Sequence, residues 1–298
     1  MHGSKNPPRD HCNVGITEMN KSVRIRELLE SGETLVMPDA YDPISARIIQ
    51  SCGFDAVQCS GCSIAVANCL GHEAELDCTL NLQVTRNIVA AVDVPVMADG
   101  EDGYGGSDKI GETIAAFIDA GVAGINIEDQ IIGAAGGVAV VERAMMVEKL
   151  QAARQAARSA GNPGLLINSR TDALLASRDR AAGLDEAIRR GNAYLKAGAD
   201  MVFITYIATL DEVRRAVRGV DGPLSIAAGQ PYNMREFSVD DLRREGVARV
   251  SLPTLAILSS VQALRTALSG FRDTMSFEHL TIGDNLCTWQ DIAEIIGK

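Results

Sequence analysis

The sequence predicts a (β/α)8 barrel, and three observations support this fold class. The 298 residues are 46% hydrophobic but only 4% aromatic, a composition typical of a parallel sheet covered by helices. A helix end, a glycine and a strand follow one another four times, at Gly53, Gly121, Gly198 and Gly246. Eight strand-like apolar runs alternate with helical segments over about 220 residues, which matches the number and size of the units in such a barrel.

The strands are predicted as short apolar runs. Their predicted bounds are 34–37, 56–59, 94–98, 124–127, 165–168, 201–204, 224–227 and 249–252. Helical spacing lies between them, and it places Ile110, Ile114 and Phe117 on one face. A doubly wound sheet is the alternative, but no Gly-x-Gly-x-x-Gly motif follows the first strand.

The chain divides into three predicted parts. Residues 1–22 are polar and lack the apolar segment of a signal peptide, so we interpret them as a mobile N-terminal arm. Residues 23–270 form the barrel. Residues 271–298 are too apolar for a free tail, and 288–296 resembles a short capped helix, so we expect a C-terminal helical extension that packs on its own barrel or is swapped between subunits.

Charge and cysteine content restrict the classes of partner. The net charge of −11 argues against nucleic acid or an anionic membrane as a partner, but it leaves a small anionic substrate open because a bound cation reverses the local field. No apolar run is long enough to cross a membrane. Seven cysteines, an odd number found mostly in apolar segments, indicate a reducing cytoplasm. Cys59 and Cys62 form a Cys-x-x-Cys motif, but no second such pair or paired histidine supports a zinc or redox role.

Acidic residues follow two successive predicted strands. Asp99, Glu101 and Asp102 come at the end of the third strand, and Glu128 ends the fourth. Carboxylates this close repel one another unless a cation lies among them. Asp99, Glu101 and Glu128 together form a hard oxygen ligand set that suits Mg²⁺, or Mn²⁺. Solvated loop charges, helix caps or salt bridges remain the alternative for any one pair, but two acidic strand ends in successive units favour a metal site.

Polar residues follow the other predicted strands as well. In a (β/α)8 barrel the C-terminal ends of all strands lie at the same end of the barrel, so these residues are expected to lie close together. Asp39, Asp172, Tyr206, Ser251 and Thr254 lie at such strand ends. From the strand ends we expect substrate to be bound by Tyr41, Ser60, Gly61, Cys62, Asp99, Arg170, Thr205 and Gln230.

These motifs, taken in order, resemble the phosphoenolpyruvate mutase/isocitrate lyase superfamily. The matching segments are 37–46, Ser60-Gly61, 99–105, 127–130, 169–173 and 197–200. The resemblance implies Mg²⁺ held by Asp99, Glu101 and Glu128, a 2-oxo acid bound to it, and chemistry through a pyruvate enolate. It also implies that Arg170 faces the substrate and that backbone amides around Ser60, Gly61 and Cys62 hold its carboxylate. A homo-oligomer, a tetramer or a dimer, is implied too.

The chain departs from the lyases of that family at several positions. Their Cys-Gly-His stretch after the fourth strand has no counterpart in 131–138, and Thr205 and Ala227 replace a glutamate and an asparagine. We therefore expect a member outside the classical isocitrate and methylisocitrate lyases. Glu73 is the nearest candidate for the acidic residue of the gating loop. His72 is a candidate acid or base near neutral pH, with an exposed bystander as the alternative.

The leading hypothesis is a Mg²⁺-dependent lyase or decarboxylase that acts on a small 2-oxo or 2-hydroxy carboxylate, with Arg170, Glu73 and His72 as its catalytic residues. One alternative is a phosphonopyruvate-type hydrolase or mutase that acts on a phosphorus–carbon bond. The other is a barrel that has lost catalysis and serves as a binding or scaffold protein.

Overall fold

A computed structural model describes residues 18–135, 137–281 and 286–297. Eight parallel strands pair in sequence order and β1 closes on β8, which confirms the predicted (β/α)8 barrel. The strands are β1 (Leu35–Ala40), β2 (Val57–Cys59), β3 (Val96–Asp99), β4 (Gly124–Glu128), β5 (Leu166–Thr171), β6 (Met201–Ile204), β7 (Leu224–Ala227) and β8 (Arg249–Leu252).

Twelve α-helices are found in the described residues. They are α1 (Glu18–Glu30), α2 (Pro43–Ser51), α3 (Gly61–Ala67), α4 (Cys78–Ala91), α5 (Ile110–Asp119), α6 (Arg143–Ser159), α7 (Ala173–Ala176), α8 (Arg180–Lys196), α9 (Leu210–Gly219), α10 (Val239–Glu245), α11 (Leu255–Thr274) and α12 (Trp289–Ile296). Single turns of 3-10 helix occur at Glu73–Glu75 and Glu278–Leu280. None of these helices is long and apolar enough to span a bilayer.

The strand bounds differ from the predicted ones for physical reasons. β3 begins at Val96 because Pro95 has no N–H to donate, although its carbonyl accepts from Val57 N at 2.9 Å. β5 extends to Thr171 because Arg170 and Thr171 continue the pairing with β6. The longer β5 places Arg170 inside the strand rather than after it.

Helix α1 covers the N-terminal end of the barrel. It begins at Glu18, before the predicted boundary at residue 23, and Ile25 is completely buried in a cluster with Met37, Met97 and Met201. The part of the predicted N-terminal arm at residues 1–17 lies outside the described residues. Because apolar side chains fill this end of the barrel, the opposite end is left for a ligand.

The C-terminal extension packs partly on its own chain. Helix α12 has a capping box in which Thr288 and Asp291 satisfy each other's backbone N–H groups, and it lies against α2. Trp289 is nevertheless 88% exposed. Ile282, which belongs to the apolar pattern of this segment, lies outside the described residues.

Candidate active site

The loop after β3 turns sharply and brings Glu101 beside Asp99. The Gly100 amide donates to the Asn126 carbonyl at 2.9 Å, and a Cβ on Gly100 would lie only 2.7 Å from that oxygen. Glu101 then adopts a left-handed backbone conformation with φ 49°. Since a side chain at residue 100 would collide with β4, the Asp-Gly-Glu sequence is what permits two carboxylates to enter the barrel mouth together.

Three carboxylates at this mouth have buried oxygens with no hydrogen-bond partner among the described residues. The atoms are Asp99 Oδ1, Glu101 Oε1 and Glu128 Oε2. Burial raises the pKa of all three groups, and the neighbouring carboxylates Asp99, Glu73 and Glu128 raise the pKa of Glu101 further. Buried carboxylates without partners are unfavourable in a folded chain, so this arrangement points to a cation that belongs between them.

The donor set fits a hard divalent cation. Oxygens of Glu73, Asp99 and Glu101 lie within 4.8 Å of one another, and this is the one such group of three in the part of the chain that the structure describes. Carboxylate oxygens alone, without thiol or imidazole, favour Mg²⁺ or Mn²⁺ over zinc. Asp99 and Glu101 belong both to this group and to the predicted ligand set, whereas Glu73 occurs here in place of Glu128.

Glu128 contacts Arg170 instead. Arg170 Nη1 lies 2.6 Å from Glu128 Oε2, without the geometry of a hydrogen bond. The same guanidinium donates twice to Asp172, from Nε at 2.9 Å and from Nη2 at 3.2 Å, and Thr205 Oγ1 donates to Asp172 at 2.9 Å. Burial alone would lower the pKa of Arg170, but Asp172 and Glu128 raise it. Arg170 is therefore a fixed positive charge at the edge of the carboxylate cluster.

Helix α3 begins directly after β2, and its first residue, Gly61, contacts the carboxylates of Asp99 and Glu101. Ser60 caps α3, and the Gly61 amide donates to Asp99 Oδ2 at 3.1 Å. A Cβ on Gly61 would lie 1.7 Å from Glu101 Oε1, so any other residue here would force the Glu101 side chain to move. The Ser60 amide donates to the Ala40 carbonyl at 3.3 Å. Because two of the three amides predicted to hold a substrate carboxylate already have partners, that role stays a prediction.

Most of the predicted site residues line one cavity of about 170 Å³ at the C-terminal end of the barrel. Those that line it are Ser60, Cys62, Glu73, Asp99, Arg170, Thr205 and Gln230. Gly61, Glu101 and Glu128 are not in the lining, but each lies next to a residue that is. Gly61 donates to Asp99, Glu101 lies beside Asp99, and Glu128 forms an ion pair with Arg170. The strand ends were therefore a sound guide to the mouth of the barrel.

Two predicted residues lie elsewhere. Tyr41 is outside the cavity lining, and its hydroxyl donates to Ser260 Oγ on α11 at 2.9 Å. His72 is exposed and also outside the lining; its Nδ1 accepts from Ala74 N at 3.0 Å and caps the 3-10 turn that carries Glu73. The structure thus gives Tyr41 a packing contact and His72 a positioning role for Glu73, and the substrate or catalytic roles of both stay predictions.

Sequence reasoning missed several lining residues. Asn126, Phe203 and Tyr232 line the cavity but were not among the candidates. Asn126 and Phe203 lie two residues before Glu128 and Thr205, so the two-residue period of a strand places them on the same face and was a usable signal. Tyr232 lies in the loop after β7 and has no such signal.

Asp129, the acid next to Glu128, is a structural residue. It accepts hydrogen bonds from Thr171 Oγ1 at 2.8 Å, from Tyr194 OH at 2.7 Å and from Arg190 Nη1 at 3.1 Å. It also accepts from the Asp172 amide at 3.0 Å, which fixes the end of β5. Two adjacent acids therefore have different environments: Asp129 accepts four hydrogen bonds from the protein, whereas Glu128 faces the cavity residue Arg170 as an ion pair.

Comparison with known proteins decides the family. The model of the family described as phosphoenolpyruvate phosphomutase matches residues 25–272. The chain belongs to the phosphoenolpyruvate mutase/isocitrate lyase superfamily. This confirms the resemblance seen in the motifs.

Relatives in this superfamily include carbon–carbon lyases. The chain is 35% identical to the 2,3-dimethylmalate lyase of Eubacterium barkeri over 68% of this chain and 70% of that protein. It is 30% identical to the 2-methylisocitrate lyase of Aeropyrum pernix over 92% of this chain and 86% of that protein. Among solved structures, a phosphonopyruvate hydrolase in complex with oxalate and Mg²⁺ superposes with a TM-score of 0.82 at 25% identity, over 93% of this chain and 95% of the other. Since one relative is itself named a methylisocitrate lyase, a position outside the classical lyases stays a prediction.

Proposed function

We propose that this protein is a Mg²⁺-dependent lyase or decarboxylase, with Mn²⁺ as a substitute, that acts on a small 2-oxo or 2-hydroxy carboxylate through a pyruvate enolate. The observation that carries the proposal is the pair of buried, unpartnered oxygens on Asp99 and Glu101, next to Glu128 and the Arg170 guanidinium with which Glu128 forms an ion pair. The names of the two lyase relatives support carbon–carbon bond chemistry.

The cavity restricts the substrate to a small molecule. Its volume of about 170 Å³ is below the roughly 300–1,000 Å³ of typical ligand pockets. This volume suits a carboxylic acid with a short chain.

Asp99 and Glu101 are the residues that would hold the cation, and Glu73 and Glu128 are placed to supply further oxygens, directly or through water. When bound, the cation would polarise the ketone of the substrate and stabilise the negative charge of the enolate, which contributes several kcal/mol to catalysis. The Gly61 amide, through its bond to Asp99 Oδ2, keeps that carboxylate in one orientation.

Arg170 would bind and orient the substrate. Its bonds to Asp172 and Glu128 fix the guanidinium plane before substrate arrives, so little reorganisation accompanies binding. Glu73 lies at the cavity wall, and burial raises its pKa, so a proton on this carboxyl group is retained to higher pH than usual. When Glu128 rather than Glu73 supplies the further oxygen to the cation, Glu73 is free to transfer a proton at the carbon where the bond breaks, and it is our candidate for that role.

The phosphorus–carbon alternative is supported by the matching family model, which is described as phosphoenolpyruvate phosphomutase, and by the similarity to a phosphonopyruvate hydrolase structure. The apolar side chain of Ile131, in the segment after β4, offers no hydrogen-bond donor for a phosphonate. The Ile131 amide already donates to the Ala139 carbonyl within the same segment, at 2.8 Å. Incubation with phosphonopyruvate followed by phosphorus NMR separates the two functions, because release of inorganic phosphate shows hydrolysis of the phosphorus–carbon bond.

The test of the leading proposal is a coupled assay for pyruvate across a panel of 2-oxo and 2-hydroxy acids. We expect turnover that disappears with EDTA and returns when Mg²⁺ is added in excess. Turnover that survives chelation would overturn the metal-dependent mechanism. Binding of neither Mg²⁺ nor oxalate would instead favour a scaffold protein.

We also propose a homo-oligomer, a tetramer or a dimer, in the cytoplasm. The apolar side chains Leu258, Val261, Leu264 and Leu268 are 49–62% exposed along α11, which is the kind of surface that a second subunit covers. Sedimentation of the full chain tests the proposal.

A further inference from the structure

The mouth of the barrel divides into two sectors that differ in charge. The charged sector is formed by the cavity residues of β2 to β5 and their loops, with Glu73, Asp99 and Arg170 as its charged side chains. The uncharged sector is formed by the cavity residues of β6 to β8 and their loops, and none of these carries a charged side chain. Asp39 of β1 lies between the sectors and accepts from the Leu252 amide at 3.0 Å.

Three aromatic side chains, those of Phe203, Tyr206 and Tyr232, line the uncharged sector, and Pro253 adds a further apolar group to the lining. The rings of Tyr206 and Tyr232 stack with centroids 4.8 Å apart and planes 20° apart. Burial raises the pKa of both tyrosines, to about 12 for Tyr232, so both are neutral at physiological pH.

The aromatic pair is held in place by its surroundings. Tyr206 has a left-handed backbone with φ 61°, an unfavourable conformation for a tyrosine. Its carbonyl accepts a hydrogen bond from Arg180 Nη2, and Arg180 Nη2 also bonds to Glu212 at 2.8 Å. Arg180, which is paired with Glu212, therefore holds the backbone of Tyr206 at the cavity wall.

Two polar side chains of the uncharged sector donate to protein partners. Thr205 Oγ1 donates to Asp172, and Gln230 Nε2 donates to Thr254 Oγ1 at 3.1 Å. The sector therefore offers an anionic ligand neutral hydroxyl and amide groups but no cation.

Positive charge is scarce around the cavity. Among the described residues, Arg170 supplies the one guanidinium in the lining, and it is already bonded to Asp172 and Glu128. Arg249 lies inside the barrel and donates to Ser225 Oγ at 2.8 Å and to Gln58 Oε1 at 2.5 Å. A second substrate carboxylate in the uncharged sector would lose its water without gaining a cation, which is strongly unfavourable.

We propose that the substrate is a 4-hydroxy-2-oxo monocarboxylate whose chain beyond the fourth carbon is uncharged and largely apolar, and that this chain packs against Tyr206 and Tyr232. Cleavage between the third and fourth carbons leaves pyruvate as its enolate, which takes up the proton that the 4-hydroxyl group loses, so that pyruvate and an aldehyde are released. A monocarboxylate has no second carboxylate to lose, so the inference selects the lyase over the decarboxylase. The inference rests on the proposed function, because it assumes that the charged sector binds the carboxylate end. It sets this chain apart from enzymes for di- and tricarboxylates.

The test is displacement of oxalate by two acids of matched size in the presence of Mg²⁺, measured by calorimetry. The probes are 4-methyl-2-oxopentanoate, with an apolar end, and 2-oxoglutarate, with a second carboxylate. We expect the apolar acid to bind about tenfold more tightly, a difference of about 1.4 kcal/mol. Equal or tighter binding of 2-oxoglutarate overturns the inference and leaves the proposed function intact, whereas failure of oxalate itself to bind overturns both.

Tyr232 variants supply the matched control. Tyr232→Ala removes the ring and should reduce the tenfold preference to about twofold, while Tyr232→Phe keeps the ring and should preserve it. Thermal melting of each variant shows whether it folds. A folded Tyr232→Ala variant that keeps the full preference contradicts the role of the aromatic wall, and the wild-type comparison stands by itself if this variant does not fold.

Discussion

The charged and uncharged sectors of the barrel mouth are built from the same repeating unit but differ in how their polar groups are satisfied. In the charged sector, one oxygen each of Asp99 and Glu101 is buried without a partner, and Glu128 has an ion pair with Arg170 but no hydrogen bond at Oε2. In the uncharged sector, Thr205, Gln230 and Thr254 have protein partners and aromatic rings fill the wall. A buried polar group without a partner indicates where a bound ligand supplies the missing interaction. Where the polar groups already have protein partners, the shape of the cavity wall selects the ligand.

The largest effect is expected from Arg170→Lys in the charged sector. A lysine cannot reproduce the two bonds to Asp172 together with the contact to Glu128, so we expect kcat/KM to fall by about 100-fold to 1,000-fold. Arg154→Lys is the control, since Arg154 forms an equivalent pair with Asp200 and the Gly198 carbonyl outside the cavity. Similar losses in both variants would show that Arg170 acts only through stability.

A single methyl group should disrupt the metal site. Gly61→Ala places a Cβ 1.7 Å from Glu101 Oε1, so the glutamate must move away from Asp99. We expect Mn²⁺ affinity to fall about 10-fold to 100-fold in a titration followed by electron paramagnetic resonance. Gly111→Ala on α5 is the control, because its Cβ would have only an ordinary contact at 3.8 Å. Unchanged Mn²⁺ affinity in Gly61→Ala would place the metal elsewhere.

Two buried acids, Glu101 and Asp129, allow ligand and structural roles to be separated. Glu101→Gln should weaken Mn²⁺ binding without destabilising the metal-free protein, because it removes a repelled charge. Asp129→Asn should do the reverse and cost about 3 kcal/mol of unfolding free energy, since Asp129 is bonded to Arg190 and Tyr194. Glu73→Gln and Glu128→Gln, compared in the same titration, identify the third ligand. A loss of stability rather than metal affinity in Glu101→Gln would reverse our assignment.

The smallest effect is a pH dependence of stability without metal. Burial raises the pKa of Glu101 and Glu128 in the folded state, so the folded protein binds more protons than the unfolded chain above pH 4.5, the ordinary pKa of these groups. The free energy of unfolding of the metal-free protein should therefore fall by about 1 kcal/mol or more as pH rises from about 5 to about 8. Saturating Mg²⁺ should flatten this slope, as should Glu101→Gln. Urea unfolding at several pH values provides the measurement, and a metal-free stability that rises over this range would contradict the account.

The fold and the charged sector could be predicted because their signals are local. A glycine between helix and strand marks the start of four of the eight strands, and Asp99, Glu101, Glu128 and Arg170 lie at or next to strand ends, where barrel geometry brings them together. The proximity of Glu73 to Asp99 has no such local signal, since it depends on how the loop after α3 folds over the mouth. Tyr232 reaches the cavity for the same kind of reason.

Some features depend on partners that sequence cannot supply. Arg249 begins β8 within an apolar pattern, and only the closed barrel shows that Gln58 and Ser225 accept its hydrogen bonds. The stacked tyrosines require the loops after β6 and β7 to meet, although they are 26 residues apart in the chain. Residue type at a strand end predicts chemistry, whereas the surface that selects the rest of a substrate is set by tertiary contacts.

The most direct test of the central claim is calorimetric titration of oxalate, a mimic of the pyruvate enolate, into the protein with and without Mg²⁺. We predict that oxalate binds only when Mg²⁺ is present and that Asp99→Asn, which alters the carboxylate bonded to the Gly61 amide, abolishes this binding while the variant stays folded. Oxalate binding that is equally strong without Mg²⁺, or that persists in Asp99→Asn, would contradict a metal-dependent site in the charged sector.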